Sequence, residues 1–404
     1  MEFNQNNNQY NGNNQGFNPQ QNNVGYNPGF NGGQYGANPY NTTPNTNYNN
    51  QYNQYNPYNQ PAQQMYTYGV PNNQQNHFIS QQKFLRHLEQ KKEIKKFATI
   101  IAFAMLGFFG ASLIVSLILE IFNLSDLYSE SGAFSSAVGI FYSMFTVGVP
   151  FLIAKKAIGE KEDIPKVSYS APKPSLKTVT IILLSVLGCL ASMYITGYIQ
   201  GFFELFGFNF SSGEEPVVES ILDIIGLFVG TAIVPPLVEE FAMRNVVMQP
   251  LRKYGNTFAI ISSALIFGIF HGTPSQIPFA ILCGLFLGYA VIATDSIWSG
   301  VIVHAIINGL SCTYYAILYF TDEDTADIAY GIICIAIAVI GVAALIIYAS
   351  VYKDDYKRVL SKNGLEDYTL KQKLSKFFFT PVMIIAILIF LFQAISMISF
   401  SSGI

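Results

Sequence analysis

The chain reads as an all-α polytopic membrane protein of about eight or nine transmembrane helices, behind a disordered Asn/Gln/Tyr-rich N-terminal tail. Three observations predict this. Of 404 residues, 50% are hydrophobic and only 12% charged, whereas a soluble chain carries about 25% charged residues. Between Glu2 and Lys83 no Asp, Glu, Lys or Arg occurs. Beyond Lys83 apolar runs recur that are long enough to cross a bilayer. A soluble enzyme is excluded. A net charge of −3, with no basic patch interleaved with aromatics, gives no reason to expect nucleic acid as a partner.

Residues 1–82 form the first region, expected as a low-complexity cytoplasmic tail. Their Asn, Gln, Tyr, Gly and Pro cannot bury enough apolar surface to offset the entropy of ordering. An aromatic beside Asn-Pro recurs loosely, at Phe17-Asn18-Pro19, Tyr26-Asn27-Pro28 and Tyr55-Asn56-Pro57-Tyr58. The composition is prion-like, and it has neither the positive n-region nor the apolar h-region of a signal peptide.

Residues 83–404 form the membrane domain. Apolar runs lie at about 97–122, 134–154, 177–200, 221–248, 257–271, 276–294, 297–320, 328–351 and 379–399, read as spans by their length. The basic residues then orient them. With the N-terminus cytoplasmic, every one of the 22 Lys and Arg residues except Arg244 falls on the inner side, at 83–96, 155–177, 252–253 and 353–376. The loops assigned outside carry acids only. This is the split the positive-inside rule requires. Cys189, Cys283, Cys312 and Cys334 all sit in apolar runs without a CxxC pair, and read as small packing residues rather than disulfides or zinc thiolates.

A charge at mid-membrane costs about 2.5–3.5 kcal/mol on insertion scales, so each is a functional candidate. They cluster here. Glu239 and Glu240 follow Pro235-Pro236; Glu240 and Arg244, four apart, share a helix face and can pair. Glu239 points about 100° away and is left needing a proton, a metal or a polar partner. Of the four histidines, His77 and His87 precede the first span. The other two are His271 and His304, and His304 shares a face with Asn308. Two imidazoles, a carboxylate and an amide could hold zinc, with Glu239, His271 and His304 as donors, or a polarised water. Without metal, Glu239 would be general base to a water oriented by the histidines. A proton or ion pathway would use similar residues.

These segments, in this order, resemble the CPBP family of CAAX proteases and bacteriocin-processing enzymes, also called Abi proteins. Its pattern is Glu-Glu-x-x-x-Arg, Phe-x-x-x-His and His-x-x-x-Asn. It is met by Glu239, Glu240 and Arg244, by Phe267 and His271, and by His304 and Asn308. The resemblance covers roughly 215–310. It implies an intramembrane endopeptidase cutting a membrane-associated or lipidated peptide. Glu239 and His271 would activate the water, and His304 and Asn308 would complete the site and stabilise the oxyanion. Glu240 and Arg244 would hold the helix or meet the substrate's carboxylate. Zinc and a metal-free glutamate mechanism both stay open.

Counted inward from the cytoplasmic helix ends, Glu239 lies roughly 14 Å deep, His304 roughly 10 Å and His271 roughly 20 Å. A tilted helix 257–271, broken at Gly272-Thr273-Pro274, would close that gap and give a cavity open to the cytoplasmic half. Two other classes compete: a non-catalytic immunity or peptide-sequestering protein on the same scaffold, and a proton-coupled transporter. The transporter should carry ionisable residues in both halves, and spans 328–351 and 379–399 have none. The expected partners are membrane lipid and a membrane-associated peptide, and the Asn-rich tail without an organellar signal points to a bacterial plasma membrane.

Overall fold

The computed structural model describes residues 72–160, 163–210, 215–360 and 368–400. The tail expected to be disordered therefore lies outside the described residues as far as 71. The first helix, α1, runs from Asn72 to Ile121 and so begins ahead of the boundary placed after residue 82. The helices that follow are α2 (Ser125–Glu130), α3 (Gly132–Ile158), α4 (Leu176–Glu204), α5 (Ile221–Tyr254), α6 (Asn256–His271), α7 (Gln276–Thr294) and α8 (Ile297–Phe320). After them come α9 (Glu323–Val351), α10 (Asp355–Leu360), α11 (Leu370–Phe378) and α12 (Pro381–Ser396).

Seven of these are long and apolar enough to cross a membrane: the Ile79–Ile121 part of α1, then α3, α4, α5, α7, α8 and α9. The run expected at 379–399 is not one straight span. Pro381 starts a new helix there, and α11 and α12 meet at a bend of 77°; together they make an eighth span. The run expected at 257–271 is the 16-residue helix α6. At 1.5 Å per residue it is about 24 Å long, short of the roughly 30 Å hydrocarbon core. It stops where a break was expected, with Gly272 in the left-handed region at φ +61°. Glycine takes that conformation without the clash a Cβ brings.

Sidedness is carried by polar contacts. Lys253 reaches Glu93 at 2.7 Å and Asp163 at 2.5 Å, Lys177 pairs with Asp355 at 2.6 Å, and Lys373 donates to the Tyr254 carbonyl at 2.6 Å. All four basic segments thus meet at one end of the bundle, as the charge split requires. At the other end is an element that nothing in the hydropathy announced. Phe208–Phe210 (β1) pairs antiparallel with Ile398–Phe400 (β2), joining the segment after α4 to the segment after α12.

Three stretches take π-helical register, and each precedes proline. The π-helical segments Ser143–Gly148, Phe228–Ile233 and Phe241–Met248 are followed by Pro150, by Pro235-Pro236 and by Pro250. Proline offers no N–H to the carbonyl four residues back, and a local i→i+5 register is one way a helix absorbs that loss. Two of the three lie in α5 and bracket Glu239 and Glu240. Helices α6 and α7 pack most closely because the residues between them are small. A Cβ on Gly268 would come within 2.8 Å of the Ile277 carbonyl oxygen, and one on Gly284 within 2.9 Å of Ala264 Cα.

Candidate active site

The site is built on α5, α6 and α8. Glu240 and Arg244 occupy successive turns of α5 and are both fully buried. Arg244 Nε donates to Glu240 Oε2 at 2.9 Å, and its Nη1 donates to Ser263 Oγ on α6 at 2.8 Å. Ser263 Oγ in turn donates to the Met243 carbonyl at 3.1 Å. A buried guanidinium is tolerable only with its donors occupied and a counter-ion in contact, and α6 completes that set. The Arg244 side chain is enclosed and its partners are internal.

His304, on α8, stands between the two carboxylates. Its Nδ1 is 3.3 Å from Glu240 Oε1, and its Nε2 is 3.8 Å from Glu239 Oε2. The first is a hydrogen bond that fixes the ring and leaves Nε2 facing Glu239. The second is too long for a direct hydrogen bond and of a length a bridging water can fill. Glu239 is the more accessible acid, its side chain 17% exposed against 0% for Glu240. The adjacent pair is thereby divided into a buried acid that orients and an accessible acid that can react.

Asn308, one turn beyond His304, has a different partner from the one its motif suggests. Its Nδ2 donates to the Thr231 carbonyl at 3.0 Å. That carbonyl is stranded by the sequence: its α-helical donor would be Pro235 and its π-helical donor Pro236, and neither has an N–H. The Val234 N–H bonds instead to the Val229 carbonyl. Asn308 therefore closes the break in α5 immediately before Glu239, which ties α8 to the helix that presents the acid.

His271 is set apart. Its Nδ1 is 2.7 Å from the Phe267 carbonyl on its own helix, an arrangement that makes Nδ1 the donor and leaves Nε2 as acceptor. The Phe267 ring meets the His271 ring edge-on at 4.7 Å and the His304 ring at 5.6 Å, with the Arg244 guanidinium 5.6 Å from its centroid. His271 lines a cavity of about 760 Å³ bounded by α1, α3 and α12, with Phe108, Tyr142, Leu388 and Gln393 among its walls. Glu239, His271 and His304 were the possible zinc donors, with a metal-free site as the alternative. Among the described residues no three His, Cys, Asp or Glu side chains are gathered as metal donors. As placed, these three do not form a zinc site.

Three contributors were not legible as functional residues. Gly300 is one: a Cβ there would lie 2.3 Å from Glu240 Oε2, so only glycine lets α8 approach the buried acid. Its position four residues before His304, on the same face, was the available signal. Ser263 and Thr231 are the others. Nothing in their local sequence marks them, because their roles come from Arg244 and from the two prolines on α5. The remaining acids, Asp223 and Asp295, serve elsewhere: Asp223 accepts from the Ser220 hydroxyl at 2.7 Å, and Asp295 ends α7 at φ +52°.

Residues 221–310 match the family described as Rce1-like, type II CAAX prenyl endopeptidase. The match starts with α5, spans all six expected site residues and stops just beyond Asn308, close to the 215–310 region expected from the motifs. The match covers less than a quarter of the chain, in a protein with seven helices long and apolar enough to cross a membrane. No curated protein and no solved structure matches the chain.

Proposed function

We propose that the chain, whose residues 221–310 are similar to the Rce1-like family, is an intramembrane endopeptidase in which Glu239 is the general base. The observation that carries this is the position of His304 between an enclosed carboxylate and an accessible one. A water held between Glu239 Oε2 and His304 Nε2 loses a proton to Glu239 as its oxygen attacks the scissile carbonyl carbon. His304, held by Glu240, supplies positive charge or a hydrogen bond beside the tetrahedral oxyanion. Glu239 then returns the proton to the departing amine as the C–N bond breaks. Proton transfer by a positioned group contributes about 10²–10⁴-fold.

In this proposal Glu240, Arg244 and Ser263 hold the geometry, and Asn308 holds the helix break that presents Glu239. His271, with Nε2 as acceptor, faces the cavity from which an apolar part of a membrane-associated or lipidated peptide can approach. The N-terminus is placed in the cytoplasm, as the basic segments indicate.

The test is cleavage of a prenylated CAAX peptide and of a bacteriocin leader peptide by the full chain in lipid nanodiscs. The native protein, Glu239→Ala and His304→Ala are compared. Loss of product by at least about 10²-fold in both variants is expected, with activity unchanged after dialysis against a chelator. Equal product from all three proteins would remove the protease reading. Peptide binding without any product would favour the sequestering protein, and a chelator-sensitive activity would restore zinc.

A further inference from the structure

A second polar cavity lies at the basic end of the bundle, away from the carboxylates. It has a volume of about 360 Å³ and is lined by the end of α3, the π-helical segment of α5, and Gly159, Glu160, Ile164, Lys166, Val167 and Tyr169 beyond α3. Lys155, Asn245 and Gln249 line it, with Lys166 and Glu160 at its edge. Asn245 is 1% exposed and Gln249 7% exposed.

Among the described residues the charges that line it do not balance. Lys166 has a counter-ion, Glu160 at 3.8 Å, and both are exposed. Lys155 is half-buried and has no carboxylate in ion-pair contact among the described residues. Its ammonium is held by the side-chain oxygen of Asn245 alone. The Gln249 amide, nine-tenths buried, has no side-chain hydrogen-bond partner among the described residues. A neutral carbonyl does not compensate a partly desolvated ammonium, and the Gln249 side chain borders the cavity. Together they present one positive charge and free amide donors to a space large enough for a small anionic group.

We propose that this cavity binds the phosphate of an anionic phospholipid. Its level in the membrane favours a lipid over a peptide. The loop that walls it carries Tyr169, whose carbonyl accepts from Trp298 Nε1 at 2.8 Å; both rings are exposed, at 58% and 39%. Exposed Tyr and Trp beside Lys are what marks the headgroup level. From there α3 offers an apolar track toward the bilayer centre: Leu152, one turn below Lys155, is 51% exposed, Ile153 63% and Val149 43%. Headgroup at Lys155 and acyl chain along α3 is the arrangement expected of a basic pocket between helices at an inner leaflet. Asn245 adjoins Arg244, so the same lipid braces the helix that carries the buried ion pair.

The test uses the full chain in phosphatidylcholine nanodiscs with and without phosphatidylglycerol, and counts by native mass spectrometry the phosphatidylglycerol retained after detergent release. Retention about fivefold weaker is expected for Lys155→Met, the effect of one lysine near a membrane surface. Gln249→Leu should weaken it to a lesser degree. Lys155→Arg and Lys156→Met, the latter an exposed neighbour, should keep it, as should Glu239→Ala. Equal retention by native protein and Lys155→Met would overturn the proposal, and so would an equal loss in Lys156→Met, which would mean diffuse surface charge. Inorganic phosphate or a free peptide carboxylate binding through Lys155 where phosphatidylglycerol does not would also overturn it. If Lys155→Met unfolds, the Gln249→Leu and Lys155→Arg pair decides alone.

Discussion

The two groups of polar residues that meet at Phe267 are built on opposite principles. On one side Glu240, Arg244 and Ser263 form a closed set in which each polar group is spent on another, Arg244 and Glu240 are out of contact with the surroundings, and His304 is anchored through Nδ1 with its Nε2 left toward Glu239. On the other side His271 makes one bond, to its own helix, and otherwise faces a cavity. The closed side has the chemistry of a support, since groups already saturated cannot move protons for a substrate. Glu239 lies at its margin, close enough to be aligned by His304 and open enough to react. A site assembled this way can be broken in two distinguishable ways, by loss of structure or by loss of chemistry alone.

The largest effect should come from opening the closed side. Arg244→Met leaves Glu240 charged, buried and without its counter-ion, which typically costs about 3–5 kcal/mol. A marked fall in the thermal unfolding temperature in nanodiscs is expected, with activity lost alongside it. If Arg244→Met unfolded with the native protein while losing activity, the arginine would be acting on substrate, contrary to its enclosure.

An intermediate effect is expected from Asn308→Ala. The Thr231 carbonyl would lose the donor that replaces Pro235 and Pro236, and a buried acceptor left unpaired costs about 1–3 kcal/mol. Asn308→Asp is the sharper probe, since a carboxylate cannot donate to that carbonyl, and it should be no better than alanine. Unfolding temperature and hydrogen exchange across 228–240 report this. Native-like protection there in both variants would assign Asn308 to the reaction instead of the helix break.

Much of this arrangement was legible in the amino acids, and the limits have physical causes. The span list and the sidedness followed from the price membranes set on charge, so the basic segments were found on one side by counting alone. The Glu240–Arg244 pair followed from helical spacing. Spacing could not show that His271 and His304 would both contact one phenyl ring, because that depends on how α6 crosses α8. The Asn308 partner was hidden for another reason: it requires noticing that two successive prolines strip the same carbonyl of both its helical donors. The strand pair β1–β2 had no signal, since three residues of apolar alternation at the end of a span look like the span itself. Gly300 was readable only after Glu240 was known to be buried against it.

The smallest effect on stability should come from the open side, and it is the one that most sharply separates the two. His271→Ala removes a single local hydrogen bond, worth about 0.5–1.5 kcal/mol. The Phe267 carbonyl keeps its main-chain partner, the His271 N–H of the same helix, so no acceptor is stranded. The truncation also makes no new void in a packed core, because the ring already borders a cavity of about 760 Å³; the volume term that dominates core truncations is absent. The unfolding temperature should therefore stay close to native while peptide cleavage falls with Glu239→Ala. A drop as large as that of Arg244→Met would mean that His271 is part of the closed support.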